Sequence, residues 1–169
     1  MTDLPAEVVS WIGQRRYEAW GEFDVERGYI FTSCASVQNG NPLYWDEQAA
    51  REIAGGWIAP PSMVSAWFRP HYWSPGRSGE ALALQLHFDL KQQLSLPEAV
   101  ITENSITFFE PVRVGDRLKT AQILRSVSPV KQTKLGAGRF WVLDVEASNR
   151  AGALCAIESY TGYGYRREA

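Results

Sequence analysis

Histidine, cysteine and methionine are each present only twice in the 169-residue sequence. Two histidines and two cysteines, Cys34 and Cys155, with no C-x-x-C spacing, supply neither a zinc ligand set nor a disulfide framework. The two thiols are expected to be reduced and buried, as in a cytoplasmic protein. Charge of one sign is also missing: a net charge of −2 leaves no electrostatic footprint for nucleic acid. Nor is there a long hydrophobic run. The longest uncharged apolar window, Ile53–Phe68, is broken by Gly55-Gly56 and Pro60-Pro61 and is too short for a bilayer. The N-terminus, Met-Thr-Asp-Leu-Pro-Ala-Glu, has no basic segment followed by an apolar stretch, so no signal peptide and no membrane partner are expected. No internal repeat or linker interrupts the chain, which is expected to form a single domain over residues 1–169.

Aromatic residues are plentiful, at 12% with seven Trp, within an otherwise ordinary 45% apolar and 21% charged composition. The chain is organised around Ile58–Arg69. Pro60 and Pro61 pre-set φ for a helix start, and Met63, Val64, Trp67 and Phe68 then recur at helical spacing. A helix apolar on nearly every side has to be wrapped, and the mainly strand-like residues from about 98 onward are the wrapper.

In chain order, the pattern predicts a short helix over Pro5–Gly13, an edge strand over Glu22–Glu26 and a helix over Arg27–Val37, with Asp24 or Glu26 as its cap. Gln38–Pro42 is a turn. Asp46 is an N-cap for a helix over Glu47–Ala54 that Gly55-Gly56 ends. Pro70–Glu80 reads as loop. Ala81–Leu94 alternates like a strand but also fits a helix, which is favoured for its second half. Val100–Phe109, Arg117–Val127, Arg139–Ser148 and Ala153–Tyr163 read as strands of a predominantly antiparallel sheet, with a hairpin turn at Asn149–Gly152. The fold class is α+β.

Three signatures occur in order: Gly40-Asn41-Pro42-Leu43-Tyr44 before a short helix, Ile58-Ala59-Pro60-Pro61 opening the central helix, and Phe109-Glu-Pro-Val-Arg-Val-Gly-Asp116-Arg-Leu in the sheet. Together they resemble the MaoC-like branch of the hotdog superfamily, the R-specific enoyl-CoA hydratases and FAS1-like dehydratases. The resemblance implies five or six antiparallel strands wrapped on a long central helix. It also implies pairing with a second hotdog unit across a continuous sheet.

Catalytic members of that family carry Gly-Asp-x-Asn-Pro-[Leu/Ile/Val]-His, whose Asp and His activate a water for addition to an enoyl thioester. Here those positions are Asn39 and Tyr44. An amide does not ionise, and a phenol is a poor base at neutral pH. Catalytic members open the central helix with Ile-Ala-His-Gly, whose Gly N–H polarises the thioester carbonyl. The matching pair here is Pro60-Pro61, and proline has no N–H. Base, acid and oxyanion donor are absent from the places where the family keeps them, which resembles the non-catalytic half of heteromeric or double-hotdog dehydratases. The stretch Ser128–Phe140 resembles the steroid side-chain group and points to bulky acyl chains.

Asn39 and Tyr44 are read as a turn residue and a packed aromatic ahead of a remodelled active pair, and Asn41-Pro42 as a structural turn. Pro60, Pro61, Ser62, Met63 and Trp67 are the candidate acyl-binding positions beside Asn41. A stripe such as Met63 and Phe68 is more often core, and Trp67 divides evenly between core and cavity lining. Ser62 and Ser65 have no His nearby to make a nucleophile. His71 and His87 are read as structural, with His71 the one to check. Arg69, Arg113, Lys131, Lys134 and Arg139 are candidates for CoA phosphates, each more often a solvated charge. Tyr72, Trp73, Trp57 and Trp67 suit either a partner interface or core.

The leading expectation is a hydratase-family subunit, inactive alone, that shapes an acyl-CoA pocket beside a catalytic hotdog partner in a heterodimer or heterotetramer, or a homodimer. It takes acyl-CoA as substrate and needs no cofactor or metal. The competing readings are an active acyl-CoA thioesterase or hydratase with a relocated acid/base, and a non-enzymatic acyl-CoA-binding module.

Overall fold

The computed structural model describes residues 3–79 and 82–167. Its frame is one antiparallel sheet: β1 (Arg15–Trp20), β2 (Glu98–Phe108), β3 (Lys119–Val127), β4 (Lys131–Thr133), β5 (Gly136–Ser148) and β6 (Leu154–Arg166). The order is β1-β3-β5-β6-β2, with β4 paired to β5. Side chains alternate between faces along a strand, so register decides which residues meet. Trp141, Leu143, Val145 and Ala147 of β5 stand opposite Gly162, Tyr160, Glu158 and Ala156 of β6 on the inner face. The outer face is aromatic at one end, where Phe140, Tyr163 and Tyr165 stack, and polar around Asp144. There Asp144 accepts from Arg125 Nε at 2.5 Å and from Ser159 Oγ at 2.5 Å, and Glu146 pairs with Arg15 and Arg125.

At one end of the sheet β2 has, among the described residues, no further strand beside it. Ile101 and Phe108 on it are 42% and 47% exposed. At the other end the expected edge strand over Glu22–Glu26 is corrected: that segment is loop, and the edge strand is β1. Tyr17 takes φ 51° where the β1–β3 register shifts, a bulge that hides the alternation. The charges at 22–26 are spent elsewhere. Asp24 pairs with Arg117 and Arg150, and Glu22 with Arg77 and His71, while Val25 is buried.

The helices follow local chemistry. They are α1 (Ala6–Trp11), α2 (Arg27–Ser36), α3 (Glu47–Ala54) and α4 (Gln85–Gln93). The Glu26 carboxylate accepts from Gly28 and Tyr29 N–H at the start of α2. The Asp46 carboxylate accepts from Ala49 N–H at 2.9 Å, and Gly55 at φ 71° closes α3.

The central element is shorter than the long helix expected: Pro61–Trp67 is a seven-residue 3-10 helix. Pro60-Pro61 fix its beginning and Pro70 its end, because the residue before a proline is driven out of the helical region. So short a stretch nucleates poorly as α-helix. Inner-face burial is therefore shared between two pieces. Pro61–Trp67 centres one core cluster with Ile30, Cys34, Tyr44, Leu118 and Cys155. Leu86 and Leu90 of α4 centre another with Val8, Leu124, Trp141 and Leu143.

Candidate functional site

Asn39 and Asn41 are committed to backbone turns. Asn39 Oδ1 accepts from Asn41 N–H at 3.1 Å, and Asn41 Oδ1 accepts from Leu43 N–H at 3.0 Å, capping a 3-10 turn over Pro42–Tyr44. The Trp45 indole N–H closes the loop onto the Asn39 carbonyl at 2.7 Å. Tyr44 points the other way, into the core, where it is 7% exposed in the cluster that holds Cys34, Ile58 and Met63. Burial, and then the nearby Cys34, push its phenol above the ordinary tyrosine value, further from use as a base.

The Pro60-Pro61 corner opens the central 3-10 helix, with Met63 N–H bonded back to the Pro60 carbonyl at 2.9 Å. Beside it lies a small apolar cavity of about 120 Å³, walled by Ile58, Pro61, Val64, Phe108 and Val112 with Cys155 and Glu110. Phe108 and Phe109 on its wall are about half exposed, so it opens toward the free β2 edge. Burial foremost, then the Asp116 and Glu110 carboxylates, raises the Cys155 thiol, which therefore stays protonated and is a poor nucleophile. Of the eight positions singled out in the sequence, Pro61 alone walls this cavity. Met63 and Trp67 are core, Ser62 is exposed, and neither Asn39 nor Tyr44 reaches it. Glu110, an exposed carboxylate at the cavity, escaped the sequence reading because it sits in the break between β2 and β3.

A second polar group lies on the inner face. Glu158 is 2% exposed, and its Oε1 accepts from Asn104 Nδ2 at 3.2 Å and from Arg69 Nη2 at 3.4 Å. Arg69 Nη2 also donates to the Tyr160 hydroxyl at 3.2 Å. Burial, then the adjacent Glu158 carboxylate, raises the Tyr160 phenol and keeps it protonated. The signal was present in the β6 pattern, where an acid stands among the inward positions Ala156, Tyr160 and Gly162, but it needed the register to be seen.

The remaining candidates are held by structure. His87 is buried, and its Nδ1 accepts from the Trp141 indole N–H at 3.2 Å. His71 Nδ1 meets Glu22 Oε2 at 2.7 Å and its ring stacks on Phe23. The Arg113 guanidinium donates to the Ala54 carbonyl, and buried Arg139 binds Ser128 and Asp3. Lys131 and Lys134 are exposed, as are Tyr72 and Trp73. Trp67 is fully buried, flanked by Phe23 and Tyr29. Among the described residues, no cluster of His, Cys, Asp and Glu has the grouping for a metal ion. No helix among them is long and apolar enough to cross a membrane.

A family model described as FAS1-like, dehydratase domain region, matches residues 10–158. Among curated proteins, the chain is 28% identical over 141 residues to a probable enoyl-CoA hydratase alpha subunit of Thermomonospora curvata. That match covers 82% of this chain and 44% of that protein, so the chain spans less than half the length of the relative. Among solved structures it is similar to the ChsH1-ChsH2 complex from Mycobacterium tuberculosis, with a TM-score of 0.74, 20% identity, and coverage of 92% of this chain and 86% of that one. The MaoC-like dehydratase from Rhodospirillum rubrum gives a TM-score of 0.64 at 20% identity, covering 94% of each chain. The HadBC (3R-hydroxyacyl-ACP dehydratase) complex from Mycobacterium tuberculosis gives 0.60 at 21%, covering 91% and 97%. These likenesses show the hotdog fold, with its antiparallel sheet closed over the central segment.

Proposed function

This chain belongs to the FAS1-like dehydratase family of the MaoC-like hotdog fold, and from that premise we propose that it is the degenerate half of a heteromeric enoyl-CoA hydratase. It walls the acyl pocket and leaves proton transfer to a second hotdog subunit. The observation that carries this reading is the placement of the two motif positions away from the cavity at Pro61. The Asn39 amide is occupied in its turn, and Tyr44 is sealed in the core. Hydration of a thioester-conjugated double bond needs a group that takes a proton from water, a group that returns one to carbon, and a donor for the carbonyl oxygen. Pro60 and Pro61 supply no N–H for the last of these, and the cavity wall is mainly apolar. What remains is shape, an apolar recess that holds and orients a chain.

The open edge of β2 supports the second subunit. An eleven-residue strand with unpaired backbone groups and exposed Ile101 and Phe108 is a template for extending the sheet into another chain. Two of the similar solved structures are described by their titles as complexes, ChsH1-ChsH2 and HadBC.

The test is reconstitution. The purified chain alone is expected to leave enoyl-CoA unchanged, and with a hotdog subunit bearing an intact Asp and His it is expected to support hydration. Asn39→Ala and Tyr44→Phe are expected to leave the rate of the assembled enzyme within about twofold, whereas loss of the partner's His abolishes it. Turnover by the single chain that falls with either substitution refutes the reading.

One observation favours a second reading, an enzyme with a relocated base: Glu110 places a carboxylate at the cavity beside Pro61. Glu110→Gln separates the two, since a base so replaced costs at least about a hundredfold in rate, and a wall residue does not.

A further inference from the structure

Over most of this protein, carboxylates answer the lysines and arginines. Nine of the seventeen form ion pairs. Of those that form none among the described residues, Arg16 and Arg27 lie over aromatic rings and Arg113 donates to a carbonyl. The other five, Lys91, Lys131, Lys134, Arg166 and Arg167, gather at one end of the sheet. Register puts them there: Lys131 of β4 stands opposite Gly138, Gly138 opposite Tyr165, and Arg166 and Arg167 come next along the chain. In a chain of net charge −2 this is a local excess of positive charge without a counter-charge.

The cations surround space. Arg167 is common to two open recesses, one of about 290 Å³ that Lys134 also lines, and one of about 610 Å³ shared with Lys91 and Arg166. Arg166 Nε donates to the Ser95 carbonyl at 2.8 Å, which fixes its guanidinium at the wall of the larger recess. Lys91 Nζ lies 5.8 Å from the Phe88 ring, with no carboxylate paired to it among the described residues. Leu96 and Pro97 add an apolar wall, and Glu98 is the single carboxylate there.

Two guanidinium forks and an ammonium converging on one recess suit phosphate oxygens, which guanidinium meets in pairs and ammonium as a point charge. The apolar wall suits a flat organic body attached to those phosphates, and the volume is that of an ordinary ligand site. We propose that this recess is a nucleotide site, in which Arg166, Arg167 and Lys91 hold the phosphates. It is remote from the cavity at Pro61, because Glu98 and Phe108 are the two ends of the eleven-residue β2, about 33 Å apart. The nucleotide is either free or the one carried by CoA. An antiparallel extension of the sheet sets the start of β2 beside the end of a second subunit's edge strand, so a thioester seated in that subunit is the source of the second kind.

Calorimetry on the purified chain at low salt tests the site with adenosine 3′,5′-bisphosphate, ADP, adenosine and a polyglutamate peptide. The two phosphorylated ligands are expected to bind at least about tenfold tighter than adenosine, the worth of one charge-assisted hydrogen bond or more, and than polyglutamate. Arg167→Gln and Lys91→Gln are each expected to weaken them about tenfold while leaving the urea midpoint in place, and Arg166→Lys to weaken them less than Arg166→Gln. Absence of binding by both phosphorylated ligands overturns the assignment. So does binding that survives the Arg167→Gln, Lys91→Gln double variant, or equal affinity for polyglutamate, which marks a surface for an acidic protein instead. Kinetics of the chain assembled with a catalytic hotdog subunit then identify the source. A KM for enoyl-CoA raised about tenfold by the double variant at constant kcat supports the site with CoA as its nucleotide, and an unchanged KM supports it with a free one. No hydration by the assembly overturns the acyl-CoA reading and leaves the nucleotide site to stand on the calorimetry.

Discussion

Adding one methyl group to β6 tests whether the inner face is packed as described. A Cβ at Gly162 would stand 2.3 Å from Trp141 Nε1, 2.9 Å from Cε2 and 3.0 Å from Cδ1. Ordinary contact begins near 3.4 Å, so the indole must retreat by about 1 Å. It has nowhere to go, because Trp141 is fully buried in the cluster with Leu86 and Leu90 and its N–H is bonded to His87. Overpacking of this kind costs about 1–3 kcal/mol, and the lost indole hydrogen bond adds about 1 kcal/mol. Replacing Gly by Ala returns about 0.4–1 kcal/mol through the unfolded chain. The net expectation for Gly162→Ala is a destabilisation of about 1–3.5 kcal/mol, lowering Tm by roughly 2–14 °C for a protein of this size. Urea unfolding followed by far-UV circular dichroism measures it, with the midpoint falling and the slope unchanged. In a Trp141→Leu background the same substitution is expected to cost less than half as much, because the clash has lost its partner. A Gly162→Ala variant within about 0.5 kcal/mol of the parent would refute the packing argument.

His87 makes stability pH-dependent. Burial, then nearby Lys91, lowers its pKa, so the folded protein holds it neutral while the unfolded chain takes up a proton near the ordinary value of about 6.5. Stability is therefore complete above that value and declines as pH falls through it, and His87→Gln is expected to flatten the profile between about pH 7 and 5. Asp46→Ala removes the cap of α3 and is expected to cost about 1 kcal/mol in urea unfolding. Ile101→Lys with Phe108→Lys on the open edge is expected to abolish co-purification with a catalytic hotdog subunit while changing stability by less than about 1 kcal/mol, since both side chains are substantially exposed. Asn39→Asp with Tyr44→His, which introduces the residue types that the resemblance implies for catalytic members, is expected to leave the isolated chain without hydratase activity, because Pro61 still lacks an N–H and position 44 faces the core.

Much of this architecture is written in short-range chemistry. Asp46 with Gly55, and Asn149 with Gly152, announce their own caps and turns, and the alternation in β3, β5 and β6 marks strands whose inner residues are buried. Features set by distant partners are not so written. Tyr17 hides β1 because its positive φ interrupts the period, and its hydroxyl is held by Asp89, far away in sequence. The central segment carries a helical apolar pattern whichever helix type it adopts, so the pattern alone does not foretell a seven-residue 3-10 turn between prolines. At the candidate site Asn39 and Tyr44 were legible as residue types, whereas the cavity wall was not. Phe108, Glu110 and Cys155 come from two separate stretches that only the β2–β6 pairing unites. Glu158 is the clearest case: as a letter it is one acid among nineteen acidic residues, and register alone makes it an interior one.

The bare margin along Glu98–Phe108 has a consequence for supply. Under the proposed pairing, copies of this chain in surplus over the second subunit leave that seam free to pair with one another. Expressing this chain and that subunit in equal dose is then expected to raise the soluble yield of both.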